Sequence, residues 1–179
     1  MDKRGYAKGV EFFNLSEGHV FYNTYSPDRY IDNLLLFIRS GLNQGQHCLI
    51  IENDRLWLRA KSRFSKNFTS KQLERVIHIN NFDFYYYTGD FHTETIVDYF
   101  SKILSPYKER KFEVRTWTHV EWGNDIDMNT KIKQFEQKAE EDVSKLKLLA
   151  VCAYDGERLN KSLIESLHAT HNYYLSDKV

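Results

Sequence analysis

Proline and cysteine are scarce, with two of each in a chain of 179 residues. Cys48 and Cys152 each lie inside an apolar run, HCLII and LAVCAY. That placement excludes a disulfide framework and predicts reduced, buried thiols. Charge of one sign is also missing: Lys plus Arg is 25 and Asp plus Glu is 25, so the formal net charge is zero. Nucleic acid and anionic membrane surfaces attract proteins with a positive excess, so neither is an expected partner. No apolar run approaches the roughly 18 residues that cross a bilayer. The opening stretch MDKRGYAKGVEFFNLSEG has basic residues but no continuous apolar segment, unlike a signal peptide. The expected compartment is the cytoplasm.

Core-forming material, in contrast, is plentiful. Hydrophobic residues make up 41%, with 12 Tyr, 12 Phe and 3 Trp. A chain of this length and composition buries one sizeable core, which excludes wholesale disorder and predicts a single domain. There is no internal repeat or low-complexity tract. Residues 1–17 read as an N-terminal extension and 18–179 as the domain.

Strand-like and helix-like segments alternate. Strands are expected at 19–25, 47–52, 75–79, 82–88, 112–122 and 147–154, with an edge strand at 173–175. Ser26-Pro27-Asp28 offers an N-cap followed by a proline start for a helix that stops between Gly41 and Gly45. Asn53-Asp54 caps a second helix through about Phe64. Thr93 opens a third, ending near Pro106. Asp127 or Asn129 opens a long fourth, and Asn160 begins the last, running to about His171. This order predicts a three-layer α/β fold, with a mostly parallel central sheet and helices on both faces. Ligands of such sheets bind outside the carboxyl ends of the strands.

Phosphate chemistry would need a glycine-rich turn with lysine after the first strand. The turn from Asn23 to Arg29 has neither, and no GxGxxG occurs anywhere. His168 and His171 share a helical face with Glu165, the nearest thing to a metal set, but a second ligand pair is not visible, and no metal or cofactor is expected. Cys152 sits mid-strand, where burial outweighs nucleophilicity. The long helix carries mixed charges around an apolar stripe, and Glu136, next to Phe135, could turn toward the sheet. Trp117 and Trp122, at odd spacing, face opposite sides of a regular strand. The aromatics at the strand tips suit a small-molecule pocket bordered by Tyr25, Glu52, Tyr87, Trp122 and Tyr154, with Glu121 and Asp155 as further polar groups. The competing reading is that these side chains only pack the loops closed.

The segment from Gly18 to Phe64, with its His-containing strand, its helix ending in GLNQG and its acid-tipped strand HCLIIE, resembles the opening of the MEDS sensory-domain family (methanogen/methylotroph, DcmR sensory domain). EVRTWTHVEWG is similar to that family's R…W strand. LLAVCAYDGERLNKSLIESLHATH is similar to its closing CaYD…tH pattern, with Asn172 where the family more often has proline. The resemblance covers residues 18–175. It implies a RecA/KaiC-like layout with a degenerate phosphate loop. Its motif residues fall here on His19, Glu52, Trp122, Cys152, Tyr154, Asp155 and His171. It further implies a non-enzymatic sensor of small organic compounds such as hydrocarbon derivatives. With no room for an effector domain, such a sensor would signal through a partner, such as a sensor kinase or transcription regulator. A homodimer stays open. The alternatives are a ligand-free interaction regulator with a vestigial nucleotide site, and a small hydrolase or transferase using Asp155 or Cys152.

One expectation is testable from the turn alone. ATP should show no binding in calorimetry, since the amide cradle for its phosphates is missing. Micromolar binding would contradict this reading.

Overall fold

The computed structural model describes residues 13–124 and 127–178. Residues 1–12 of the expected extension therefore lie outside the described residues. The elements are β1 (Gly18–Thr24), α1 (Pro27–Asn43), β2 (His47–Glu52), α2 (Asp54–Phe64), α3 (Ser70–Leu73), β3 (Val76–Asn80), α4 (Asn81–Tyr85), α5 (Thr93–Glu109), β4 (Val114–His119), α6 (Met128–Leu146), β5 (Leu149–Asp155), α7 (Lys161–Thr170) and β6 (Tyr173–Ser176). The six strands form one sheet in the order β3-β2-β4-β5-β1-β6. Every neighbouring pair is parallel. The α/β architecture with helices on both faces is thus as the periodicity predicts.

Local signals set most boundaries. Pro27 occupies the first turn of α1, and the Ser26 side chain accepts from the Arg29 amide. Asn53 and Asn160 cap α2 and α7 in the same way. Lys147, at φ 51°, closes α6 in the left-handed region.

Two expectations need correction. Residues 82–88 are not a strand. Asn80 accepts from the amides of Phe82 and Asp83 and so starts α4. A strand would send Phe84 and Tyr85 to opposite sides, whereas the helical turn buries both in one cluster. Nor does Pro106 end α5, which continues to Glu109. The missing N–H leaves only the carbonyl of exposed Lys102 without its helical partner, and the last turn closes through Arg110 N to Pro106 O at 3.3 Å.

Each face of the sheet has its own core. On one, α1 and α2 pack Tyr30, Ile31, Leu34 and Phe64 against Val20, Tyr22, Ile50, Trp117 and Val151. On the other, α4 to α7 pack Phe84, Ile96, Ile132, Phe135 and Leu163 against Phe21, Leu49, Cys152 and Tyr154. Trp117 belongs to the first face, whereas Trp122, which packs against the second, lies beyond β4: the strand expected at 112–122 ends at His119, so strand alternation does not place it. Phe13, within the nominal extension, is buried against Phe37 and Trp117, and its carbonyl accepts from Arg115 Nη1 at 2.8 Å.

The turn between β1 and α1 consists of Tyr25 and Ser26 alone. Asp177 fills the space beside it, accepting from the Tyr25 amide at 2.5 Å and from the hydroxyls of Tyr22 and Thr24 at 2.7 Å each.

Gly41 marks the closest approach of α1 to the sheet. A Cβ there would lie 2.6 Å from Cys48 Sγ and 2.7 Å from Arg115 Cδ, and both side chains are buried. Helix propensity alone would make Gly41→Ala stabilising by up to about 1 kcal/mol. Overpacking should reverse the sign, with a loss of about 1–3 kcal/mol in urea denaturation. A gain in stability would contradict this packing.

Candidate functional site at the strand ends

Chain order creates the crevice. The connections after β1 and β2 run through α1 and α2 on one face, while those after β4 and β5 run through α6 and α7 on the other. Since β1 neighbours β5 and β2 neighbours β4, adjacent loops diverge at both junctions, which is where open parallel sheets bind ligands. A cavity of about 310 Å³ spans both, lined among others by Tyr25, Tyr30, Asn53, Arg55, His119, Glu121, Trp122, Asp155 and Arg158.

Beneath it lies a buried polar network. Glu52, fully buried at the end of β2, accepts from His119 Nδ1 and from the Asn53 amide at 2.7 Å each, and from the Tyr30 hydroxyl. Trp117 Nε1 donates to the same Tyr30 oxygen at 2.7 Å. Glu121 accepts from Asn53 and Asn81 side chains at 2.9 and 2.7 Å. Burial works to lower the pKa of His119, but the carboxylates of Glu52 and Glu121 outweigh it and raise the value. Burial likewise works to raise Glu121, and the neighbouring His119 with the two asparagine donors holds it below the usual carboxylate range. The result is a fixed histidine–carboxylate pair in the wall of a cavity, in which the carboxylates favour the protonated ring.

Of the five pocket residues expected from sequence, Tyr25 and Trp122 line this cavity. Arg158 braces Trp122, donating to its carbonyl at 2.6 Å with the guanidinium 4.6 Å from its ring centroid. Glu52 lies behind the wall and reaches the cavity only through His119 and Tyr30. Tyr87 is 65% exposed and stacks on Tyr99, outside the cavity lining. Tyr154 lies on the opposite face of the sheet, donating to Glu136. Sequence reading passed over His119 and Tyr30. The signal for His119 was its place two residues after Trp117, on the same strand face.

The motif residues separate into two places. Asp155 lines the cavity, while His19, Cys152 and His171 converge on the other face, together with Glu136 of α6. Glu136 does turn toward the sheet and is fully buried. Burial drives this group toward uncharged forms: the Cys152 thiol and Tyr154 hydroxyl are pushed well up, Glu136 is raised, and His171 is pushed well down. The set His168, His171 and Glu165 is not brought together. The His168 ring packs on Phe21 and Tyr174, and Glu165 lies 4.0 Å from Lys161.

The Glu52–His119 pair gives stability a pH dependence. Because the folded pKa of His119 is above its usual value of about 6.5, the contribution is complete below about pH 6.5 and is lost as pH rises through the folded value. Glu52→Gln leaves the burial and removes the charge, so His119 should titrate at lower pH in an NMR ring-proton titration. An unchanged titration would contradict the pairing.

No curated protein matches the chain significantly. A model of the MEthanogen/methylotroph, DcmR Sensory domain matches residues 18–172, and so takes in every strand but β6. Within the matched stretch, His19, Cys152 and His171 lie at one buried point and Asp155 at the crevice. With a match over so much of its length, the chain belongs to the MEDS family of sensory domains.

Proposed function

We propose that this MEDS domain is a non-enzymatic sensor that binds a small organic molecule in the strand-end crevice and signals to a partner protein, such as a sensor kinase or transcription regulator. The observation that carries the reading is the cavity at the two loop divergences. Its volume falls at the lower end of the roughly 300–1,000 Å³ typical of ligand pockets. Tyr25, Tyr30 and Trp122 give aromatic walls, and His119, Glu121 and Asp155 give polar groups for orientation. A second hollow of about 380 Å³ lies at the opposite strand ends, among Gln46, Phe112 and Lys147, away from the side of a parallel sheet where ligands gather.

Membership of a sensory-domain family supports the regulatory part. The route out of the site runs through Arg158. It clamps Trp122 and lies in the turn between β5 and α7, so an occupant that shifts Trp122 moves the start of α7. Cys152 is 5% exposed with its thiol pushed well up, which opposes a nucleophilic role. Two buried free cysteines suit the cytoplasm.

The test is a panel of small alcohols, amines and carboxylic acids titrated into isotope-labelled protein. Binders should shift the Trp122 indole, Tyr25 and His119 resonances together. Trp122→Ala should weaken binding about tenfold, close to 1.4 kcal/mol, with the fold intact by circular dichroism. A panel whose binders all map elsewhere, or that has none, overturns the reading, as does undiminished affinity in the variant.

A further inference from the structure

We propose that His19, Glu136, Cys152 and His171 form a buried tetrahedral site for a divalent transition-metal ion, with zinc the ion that this donor set fits best. The four residues come from β1, α6, β5 and the end of α7. One donor atom from each lies within 4.8 Å of all the others. His19 Nε2 is 3.3 Å from Cys152 Sγ and 3.4 Å from Glu136 Oε2, and His171 Nε2 is 3.5 Å from the same oxygen. Zinc bonds of about 2.0–2.3 Å place tetrahedral ligands roughly 3.3–3.8 Å apart, which matches these edges.

The donors are aimed by groups behind them. His171 Nδ1 lies 2.8 Å from the Leu167 carbonyl, which only accepts, so Nδ1 carries the proton and Nε2 presents a lone pair. His19 Nδ1 lies 2.9 Å from Glu140 Oε2 and 3.2 Å from the Thr170 carbonyl, which fixes the same tautomer. Tyr154 donates to Glu136 Oε1, leaving Oε2 for the centre of the group. A carboxylate or carbonyl behind each imidazole is the arrangement that orients metal-bound histidine.

A hydrogen-bonded core does not account for the group. With Glu136 ionised, three acceptors meet there and the Cys152 thiol carries the only hydrogen among them; a protonated Glu136 would add one more, which at 3.4 Å from His19 and 3.5 Å from His171 serves at most one of the two. Among the described residues, His171 Nε2 has no hydrogen-bond partner and Glu136 Oε2 has none beyond the weak donor of the Cys152 thiol, although both residues are more than nine-tenths buried. Buried polar atoms are seldom left so. A doubly protonated His19 would bring one N–H 3.4 Å from Glu136, beyond the usual 2.7–3.2 Å, and would still leave His171 unmet. A dication answers all four at once, and with a thiolate and a carboxylate the site is electrically neutral. Four protein ligands leave no position for water, so the ion would fasten β1, β5, α6 and the α7 end together and take no part in chemistry.

Cobalt(II), titrated into the full chain after chelator treatment, reports the geometry directly. One equivalent should give intense visible bands of tetrahedral cobalt and a thiolate-to-cobalt charge-transfer band, both displaced by zinc. Cys152→Ser should abolish the charge-transfer band, while Cys48→Ser should keep it. Glu140→Gln, behind His19, should weaken cobalt binding about ten- to hundredfold. If Cys152→Ser does not fold, X-ray absorption of the zinc-loaded wild type decides, with one sulfur among nitrogen and oxygen neighbours expected. Weak octahedral cobalt bands, a charge-transfer band that depends on Cys48, or zinc without a sulfur neighbour would overturn the proposal.

Discussion

A parallel sheet covered on both faces gives a polar side chain no water to turn to. Every polar residue on the central strands must therefore find its partners inside. Strand β4 shows the demand most clearly, since Arg115, Thr116, Thr118 and His119 are all buried on it. Arg115 Nη2 has no hydrogen-bond partner among the described residues, while Nε is met by Gln46 Oε1 at 2.6 Å and Nη1 by the carbonyls of Phe13 and Phe37. That ties the chain before β1 into the core, and it keeps α1 close enough to leave room for glycine alone at position 41. His119, four residues on and on the same face, is met by Glu52. The partner that satisfies it also favours its protonated form, and its ring lines the crevice.

The two faces meet the demand differently. On the α1 face, Trp117 donates to Tyr30, and Tyr30 and His119 both donate to Glu52, so donors meet acceptors throughout. Such a network is rigid and gives the crevice a fixed floor. On the α6 face, lone pairs meet lone pairs, and hydrogen bonds alone do not resolve the group. The same constraint produces a finished network on one side and one that calls for a cation on the other.

Much of the fold was legible because the signals were local. Ser26-Pro27, Asn53 and Asn160 announced helix starts, and apolar runs announced β2 and β5. Residues 82–88 misled because phenylalanine and tyrosine favour strands, while the cap from Asn80 acts through geometry that composition does not weigh. That error also carried Tyr87 into the expected pocket. Tyr154 was placed by strand position without regard to face: it follows Cys152 by two residues and shares its side. The pair His19 and His171 was beyond reach of any spacing rule. Only the pairing of β1 with both β5 and β6 brings the start and end of the domain to one point. Glu136 could be singled out in its helix of mixed charges only by its place beside Phe135, and nothing in the spacing joined it to His19, Cys152 and His171.

The turn after β1 shows how the crevice acquired its character. A helix N-terminus at a strand end favours an anion, through unpaired amides and the helix dipole. Here Asp177 supplies that anion from within the chain. Its carboxylate holds the Tyr25 amide, and Arg29 Nη1 donates to its carbonyl at 2.8 Å. A phosphate would have to displace a buried carboxylate that accepts three hydrogen bonds, from a residue whose main chain Arg29 also holds. Glu121 and Asp155 add negative groups to the lining, opposite Arg55 and Arg158. With Arg55, Arg158 and the His119 ring set against Glu121 and Asp155, the lining carries groups of both signs. What disfavours a nucleotide is the Asp177 carboxylate at the helix start, not the net charge of the crevice.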